Sequence, residues 1–208
     1  IVSFEKMNKI LSFNEIDGTV EIEPGVITEE LQNFAQDKGY YYPVDFAASG
    51  SSQMGGNIAT NAGGIKVVRY EMTRDWVVGL EVVTGKGDVL HLNNGLTKNA
   101  TGYDFKNLFI GSEGTLGFIT KATMKLTSPV QSQKVLVLAL DQMSSVMKVY
   151  SHFKKTCLMT AYEMFSEKAL NYVIESTRLP RPFETITDFY CVCELECSDT
   201  SSEEKIMS

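Results

Sequence analysis

Gly50-Ser-Ser-Gln-Met-Gly-Gly-Asn-Ile-Ala-Thr-Asn-Ala-Gly-Gly64 is the stretch on which the reading of this chain turns: five of its fifteen residues are glycine. Glycine at that density costs backbone entropy and contributes little packing. It is tolerated where the main chain must approach something closely or turn with positive φ. Main-chain N–H groups, with Ser and Thr hydroxyls and Asn amides among them, suit a phosphate or a polar heterocycle. A second cluster of the same texture follows, Gly111-Ser-Glu-Gly-Thr-Leu-Gly117, and the two together hold half of the sixteen glycines. A single Gly-Gly pair would read as a connecting loop. Two clusters interleaved with Ser, Thr and Asn read better as a cofactor cradle.

The spacings exclude the common nucleotide motifs. The chain has no Gly-x4-Gly-Lys-Ser/Thr loop and no Gly-x-Gly-x2-Gly fingerprint, and it lacks a serine nucleophile elbow.

On the N-terminal side, Thr19–Glu23 alternates and stops at Pro24-Gly25, a strand and a turn. Thr28 before Glu29, Glu30 and Leu31 reads as an N-cap with acids in the first helical turn, and Gly39 as the C′ residue. Between the clusters, Val77–Thr84 and Val89–Leu92 read as a hairpin joined by Gly85-Lys-Gly-Asp88. The second cluster feeds a strand over Phe118–Leu126. Beyond Pro129 the pattern is β-α-β-α-β: strand Val135–Leu140, helix Ser144–Lys155, strand Leu158–Phe165, a helix capped by Ser166, and strand Phe189–Leu195. A last helix is expected from Ser198. The expected domains are 1–129 and 130–208.

The chain has 208 residues, 43% of them hydrophobic and 22% charged, which suits a globular protein with a core. The longest apolar run, Val135–Leu140, is far short of the roughly 20 residues that span a bilayer. Nineteen basic residues against 26 acidic ones give a net charge of −7, and only Lys154–Lys155 are adjacent. Without a basic stripe, nucleic acid is not an expected partner. Cys157, Cys191, Cys193 and Cys197 read as reduced thiols, the last three sharing one face with Cys197 beyond the strand end, rather than a metal set. The chain opens on Ile1 with no leader-like segment, and it reads as a portion of a longer protein that starts and stops inside domains.

Pro43-Val-Asp45, Gly55–Gly64, Val67–Tyr70, Gly79-Leu-Glu-Val-Val83, Thr101-Gly-Tyr-Asp104 and Gly111–Gly117 occur in order. Together they resemble the FAD-linked oxidases of the vanillyl-alcohol oxidase superfamily, and within it the D-2-hydroxyacid dehydrogenases that act on lactate, glycolate or 2-hydroxyglutarate. The resemblance runs from Ile1 to about Leu126 and continues weakly beyond. It implies an α+β chain: an FAD-binding domain of the vanillyl-alcohol oxidase type, incomplete at its phosphate loop, followed by the start of a ferredoxin-like cap.

Carried over residue by residue, the resemblance implies that Ser49, Gly50, Ser51, Ser52, Gln53, Met54, Gly55 and Gly56 lie along the pyrophosphate and ribityl chain of FAD. Asn57, Thr60, Asn61 and Ala62 would reach the ribityl chain and the isoalloxazine edge, with Gly63 in the same cradle. Glu113, Gly114, Thr115, Gly117 and Ile119 would hold the adenosine side. Thr101–Asp104 reads as a turn with a packed tyrosine. Relatives usually have Gly after the Arg-Tyr pair; here Glu71 follows Tyr70, and its carboxylate is expected in solvent.

No catalytic residue or metal ligand is assigned: His91 and His152 read as structural, and the family's acid–base and metal groups would lie beyond Ser208. The implied reaction is oxidation of a small D-2-hydroxy acid to the 2-oxo acid by hydride transfer to FAD, with an electron acceptor the sequence does not identify. Two alternatives stay open, another FAD-linked oxidase chemistry and a non-enzymatic nucleotide-binding module. The expected location is cytoplasmic, or peripheral to a membrane through an acceptor partner. With one side of the cradle absent, this chain alone is expected to be colourless and inactive. Uncovered faces of Val135–Leu140 and Phe189–Leu195 would favour homo-oligomers.

Overall fold

The computed structural model describes residues 2–93, 95–96 and 98–197. It divides into two compact units, 1–64 with 71–129, and 65–70 with 130–208. In chain order the first part of the molecule contains β1 (Ile10–Asn14), β2 (Thr19–Ile22), α1 (Thr28–Asp37), α2 (Met54–Thr60), α3 (Val67–Tyr70), α4 (Thr73–Trp76), β3 (Val77–Thr84), β4 (Val89–Leu92), α5 (Lys106–Phe109) and β5 (Gly117–Lys125). There follow β6 (Ser132–Leu140), α6 (Met143–Thr156), β7 (Leu158–Ser166), α7 (Glu167–Thr177) and β8 (Phe189–Cys197).

The first unit is built on an antiparallel sheet in the order β1-β2-β5-β3-β4. The β3–β4 hairpin pairs Leu80 with Leu92 and Val83 with Val89, as the alternating pattern and the Gly-Lys-Gly turn require. β5 is central, pairing Val20 with Met124 on one side and Leu80 with Ala122 on the other. Its inward residues Ile119, Ala122 and Met124 join Val20, Ile22, Leu31, Ala35, Met54, Ile58 and Val82 in the core. Strand β1, which pairs with β2, has little apolar alternation and no sequence signal of its own.

Three local readings change. Thr28 is the first residue of α1 rather than its cap; the cap position is Ile27, whose N–H donates to Glu30 Oε2 at 3.1 Å. The first glycine cluster is not wholly loop, because Met54–Thr60 is helical. Tyr103 is not packed: it is 86% exposed, with only a ring contact to Phe105 described.

The second unit is a three-stranded antiparallel sheet, β6-β8-β7, with β8 in the middle. Cys193 pairs with Leu136 on one side and Tyr162 on the other. Cys191, Cys193, Leu195 and Cys197 alternate along β8 and are all buried, the cysteines being free thiols. Leu136, Tyr150, Phe153 and Tyr162 pack around Cys193 and Leu195. Ser166 caps α7, its Oγ accepting the Ala169 N–H. The residues expected to form a further helix from Ser198 lie outside the described residues.

Segment 65–70 carries α3 into this unit. Lys66 Nζ is 3.2 Å from Glu194 Oε1, Arg69 Nε is 3.9 Å from Glu196 Oε2, and the Tyr70 hydroxyl donates to Glu196. Burial separates the faces of the sheet: Val135 and Val137 of edge strand β6 are 61% and 37% exposed. The Cys191–Leu195 face of β8 is covered, contrary to the expectation for Phe189–Leu195, because Tyr150 and Phe153 of α6 pack on it, whereas Val135 and Val137 lie on the opposite face.

Candidate functional site

The two glycine clusters, 47 residues apart at their nearest ends in sequence (111 − 64), meet in the first unit. Gly111 N donates to Ile58 O at 3.1 Å and Glu113 N to Ala59 O at 2.8 Å, so the second cluster lies against the C-terminal half of α2. The path is sharply bent there: Gly111 has φ 82°, Glu113 52° and Gly114 75°, and Asn61 ends α2 with φ 50°. Consecutive left-handed residues aim main-chain groups outward, which is how a loop is shaped for a ligand rather than for packing.

The start of α2 is used differently. Met54 N donates to Val26 O and Gly55 N to Pro24 O, both at 2.8 Å. Two of the amides that a helix leaves open at its start are thereby taken by the turn after β2. A Cβ on Gly55 would stand 2.5 Å from the Pro24 Cβ, so this glycine serves internal packing.

The sequence-derived residues therefore separate by orientation. Met54 and Ile119 are core side chains, 0% and 7% exposed. Asn57 is also internal: it is buried, and its Nδ2 donates to Thr28 Oγ1 at 2.6 Å. Gly117 lies on β5, where a Cβ would meet Val83 O at 2.7 Å. To a ligand these four offer main chain at most.

Asn61 likewise has an internal partner, its Oδ1 accepting the Arg74 N–H at 2.9 Å, while Thr60 Oγ1 donates to Gly56 O at 2.9 Å. Thr115 Oγ1 donates to Ser112 O. Ser49, Ser52, Gln53 and Ala62 are half-buried, and Ser52 O and Ser49 O accept the Thr28 and Glu29 N–H groups.

What remains outward is a run of small residues. Gly50, Ser51, Gly56, Thr60 and Gly63 of the first cluster are exposed, as are Glu113, Gly114 and Thr115 of the second. No protein atom lies within 4 Å of where a Cβ of Gly56 or Gly114 would stand. Gly56 and Thr60 are four residues apart and share a face of α2. The surface is open and lets main chain approach a dinucleotide closely, while the Thr60 and Thr115 hydroxyls and the Glu113 and Thr115 N–H groups already donate within the protein.

Sequence reasoning missed Arg74. It lies outside both clusters, and a lone arginine in Thr73–Trp76 carries no motif. Its guanidinium donates to Asn107 O, Asn107 Oδ1 and Ile110 O. The two histidines are engaged elsewhere: His91 Nδ1 is 3.5 Å from Glu81 Oε2, and the His152 ring contacts Phe153 on α6. The Glu71 carboxylate is in solvent, and its φ of 60° accounts for the glycine expected at this position.

Residues 1–93 match the FAD binding domain family. A solved structure of alkyldihydroxyacetonephosphate synthase shares the fold, with a TM-score of 0.75 at 22% identity over 98% of this chain and 39% of that one. The architecture is thus α+β with a fold shared with that structure, and the match over residues 1–93 is to a domain that binds FAD.

Along its whole length it is similar to D-2-hydroxyglutarate dehydrogenases. It is 54% identical over 208 residues to that of Stutzerimonas stutzeri (strain A1501), covering 100% of this chain and 45% of the relative. The enzyme of Xanthomonas citri pv. viticola is 46% identical over 100% of this chain and 44% of its own length. The mitochondrial one of Arabidopsis thaliana is 38% identical over 99% and 38%. The chain therefore spans less than half the length of the curated relatives it matches. Among the described residues no helix is long and apolar enough to cross a membrane.

Proposed function

We propose that the protein oxidises a small D-2-hydroxy acid, of the 2-hydroxyglutarate type, to the corresponding 2-oxo acid. The observation that carries this reading is similarity at 54% identity over the whole chain to a protein named D-2-hydroxyglutarate dehydrogenase. When bound, FAD supplies the two-electron acceptor for the hydride that leaves the substrate Cα as its hydroxyl becomes a carbonyl. This chain's part is binding and orientation. The open surface over Gly56 and Thr60 and the bend at Glu113–Thr115 would hold the cofactor by close approach of small residues and main chain, with the Thr60 and Thr115 hydroxyl oxygens as acceptors.

The test uses the full-length protein. Its absorption spectrum should show flavin bands. A panel of D- and L-2-hydroxy acids with an artificial electron acceptor should show turnover with D-2-hydroxyglutarate or a close D-isomer and none with the L-series. A protein that binds FAD yet turns over no 2-hydroxy acid would sink the substrate class and leave the cofactor standing.

A further inference from the structure

Arg74 stands outside both glycine clusters and touches each. Its main-chain N–H donates to Asn61 Oδ1, the residue that ends α2 in a left-handed conformation. Its side chain reaches the other cluster. Nη1 donates to Asn107 O and to Asn107 Oδ1, each at 2.9 Å, and Nη2 donates to Ile110 O at 2.7 Å. Ile110 immediately precedes the cluster, and a Cβ on Gly111 would stand 3.3 Å from Arg74 Nη2 and 3.5 Å from Asn61 Cβ. One guanidinium thus fills the space under the bend that carries Gly111, Glu113 and Gly114.

The three acceptors are neutral, so no carboxylate among them cancels the charge of Arg74. Besides its two main-chain bonds to α2, the loop is held by bonds made within 109–115, from Ser112 to Phe109 O and from Thr115 to Ser112 O, and Arg74 joins the start of that segment to residues outside it. A planar fork can serve acceptors on two different residues at once, and a lysine ammonium matches that geometry poorly.

We propose that Arg74 is a positioning residue for the adenosine-diphosphate half of FAD. It holds Gly111–Thr115 in the binding conformation before the ligand arrives and leaves a positive charge behind the loop. The inference rests on the reading of this surface as the FAD cradle. Its energetic content is preorganisation, because a loop already ordered costs less to occupy. The side chain anchors the second cluster alone; toward Asn61 it is the main chain that donates. Loss of the side chain should therefore act on the adenosine end and spare the flavin end.

The experiment titrates FAD, ADP and FMN separately into the full-length apoprotein, as wild type, Arg74→Met and Arg74→Lys. A charge-assisted hydrogen bond is worth roughly tenfold in affinity. Arg74→Met should weaken FAD and ADP by about ten- to a hundredfold on that scale, leave FMN nearly unchanged, and be only partly rescued in Arg74→Lys. Asn107→Ala removes one acceptor and should give the same ADP-selective loss at smaller amplitude, which keeps the test available if Arg74→Met does not fold. Unchanged ADP affinity, or equal losses for ADP and FMN, would overturn the role. A wild-type protein that binds none of the three would overturn the cofactor reading and this inference with it.

Discussion

The amide nitrogen of Asn57 lies 2.6 Å from Thr28 Oγ1, and with the contact of the same hydroxyl to Met54 Sδ it ties α2 to the first residue of α1. Thr28 Oγ1 is also 2.8 Å from Ser52 Oγ, so a buried threonine, a serine and an asparagine form one small network beneath the first glycine cluster. The most polar part of the cluster thus divides into a supporting layer and an outward face.

Removing the Asn57 amide deletes a buried hydrogen bond while Thr28 Oγ1 keeps Ser52, which costs about 0.5–1.5 kcal/mol. Asn57→Ala should lower the stability of the apoprotein by that amount in denaturant melting. An unchanged apoprotein that merely lost FAD would place the amide at the cofactor after all.

Two glycines eight residues apart should respond in opposite ways. A Cβ on Gly64 would stand 1.8 Å from Asp45 O, main chain that has no room to yield. Gly64→Ala should therefore destabilise the first unit by more than about 3 kcal/mol, the scale of severe overpacking. A Cβ on Gly56 meets nothing within 4 Å and sits inside α2, where alanine is favoured over glycine by about 1 kcal/mol. Gly56→Ala should keep or raise the apoprotein melting temperature while reducing FAD affinity. Equal FAD affinity in that variant would remove Gly56 from the cradle.

Glu71 occupies a left-handed conformation, φ 60°, with its side chain in solvent. That conformation costs a non-glycine residue about 1–2 kcal/mol, partly offset by the greater unfolded-state freedom of glycine. Glu71→Gly should be more stable than wild type by roughly 0.5–1 kcal/mol on those figures. A loss of stability would mean that the carboxylate makes a stabilising interaction.

Burial among Cys157, Cys191 and Glu194 pushes the Cys193 thiol up to about 12. Tyr162, whose hydroxyl donates to Val146 O at 2.6 Å, is also raised by burial and by Cys191. An unfolded cysteine releases its proton near pH 8.5, so above that the folded chain binds one more proton than the unfolded one. Stability is then full below about pH 8 and falls as the pH climbs toward the folded value, by about 1.4 kcal/mol per unit for each such group. Urea melts between pH 7 and 11 should show this decline, and Cys193→Ala should flatten it. A decline of the same slope in Cys193→Ala would assign it to other groups.

The sequence by itself determined the elements whose signals are local. The β3–β4 hairpin follows from alternation and a glycine turn, β5 from Ala122, Met124 and their polar neighbours, and the β-α-β-α-β order after Pro129 from a change of period. Those signals arise within a few residues of each other, through pleat, helical spacing and turn chemistry. The two glycine clusters were legible in the same way, as runs of small residues, and the proposal of a cofactor surface starts from them.

Tertiary structure decided which residues face it. Asn57 and Thr60 stand three apart in one helix, yet Thr28, distant in sequence, draws the first inward and leaves the second exposed. Arg74 acquires its place only when residues 61, 107 and 110 converge on it. Likewise α3 joins the second unit because Glu194 and Glu196, more than a hundred residues later, present carboxylates to Lys66, Arg69 and Tyr70. Long-range hydrogen bonds and ion pairs leave no periodic trace in a sequence, because either partner alone is an ordinary polar residue.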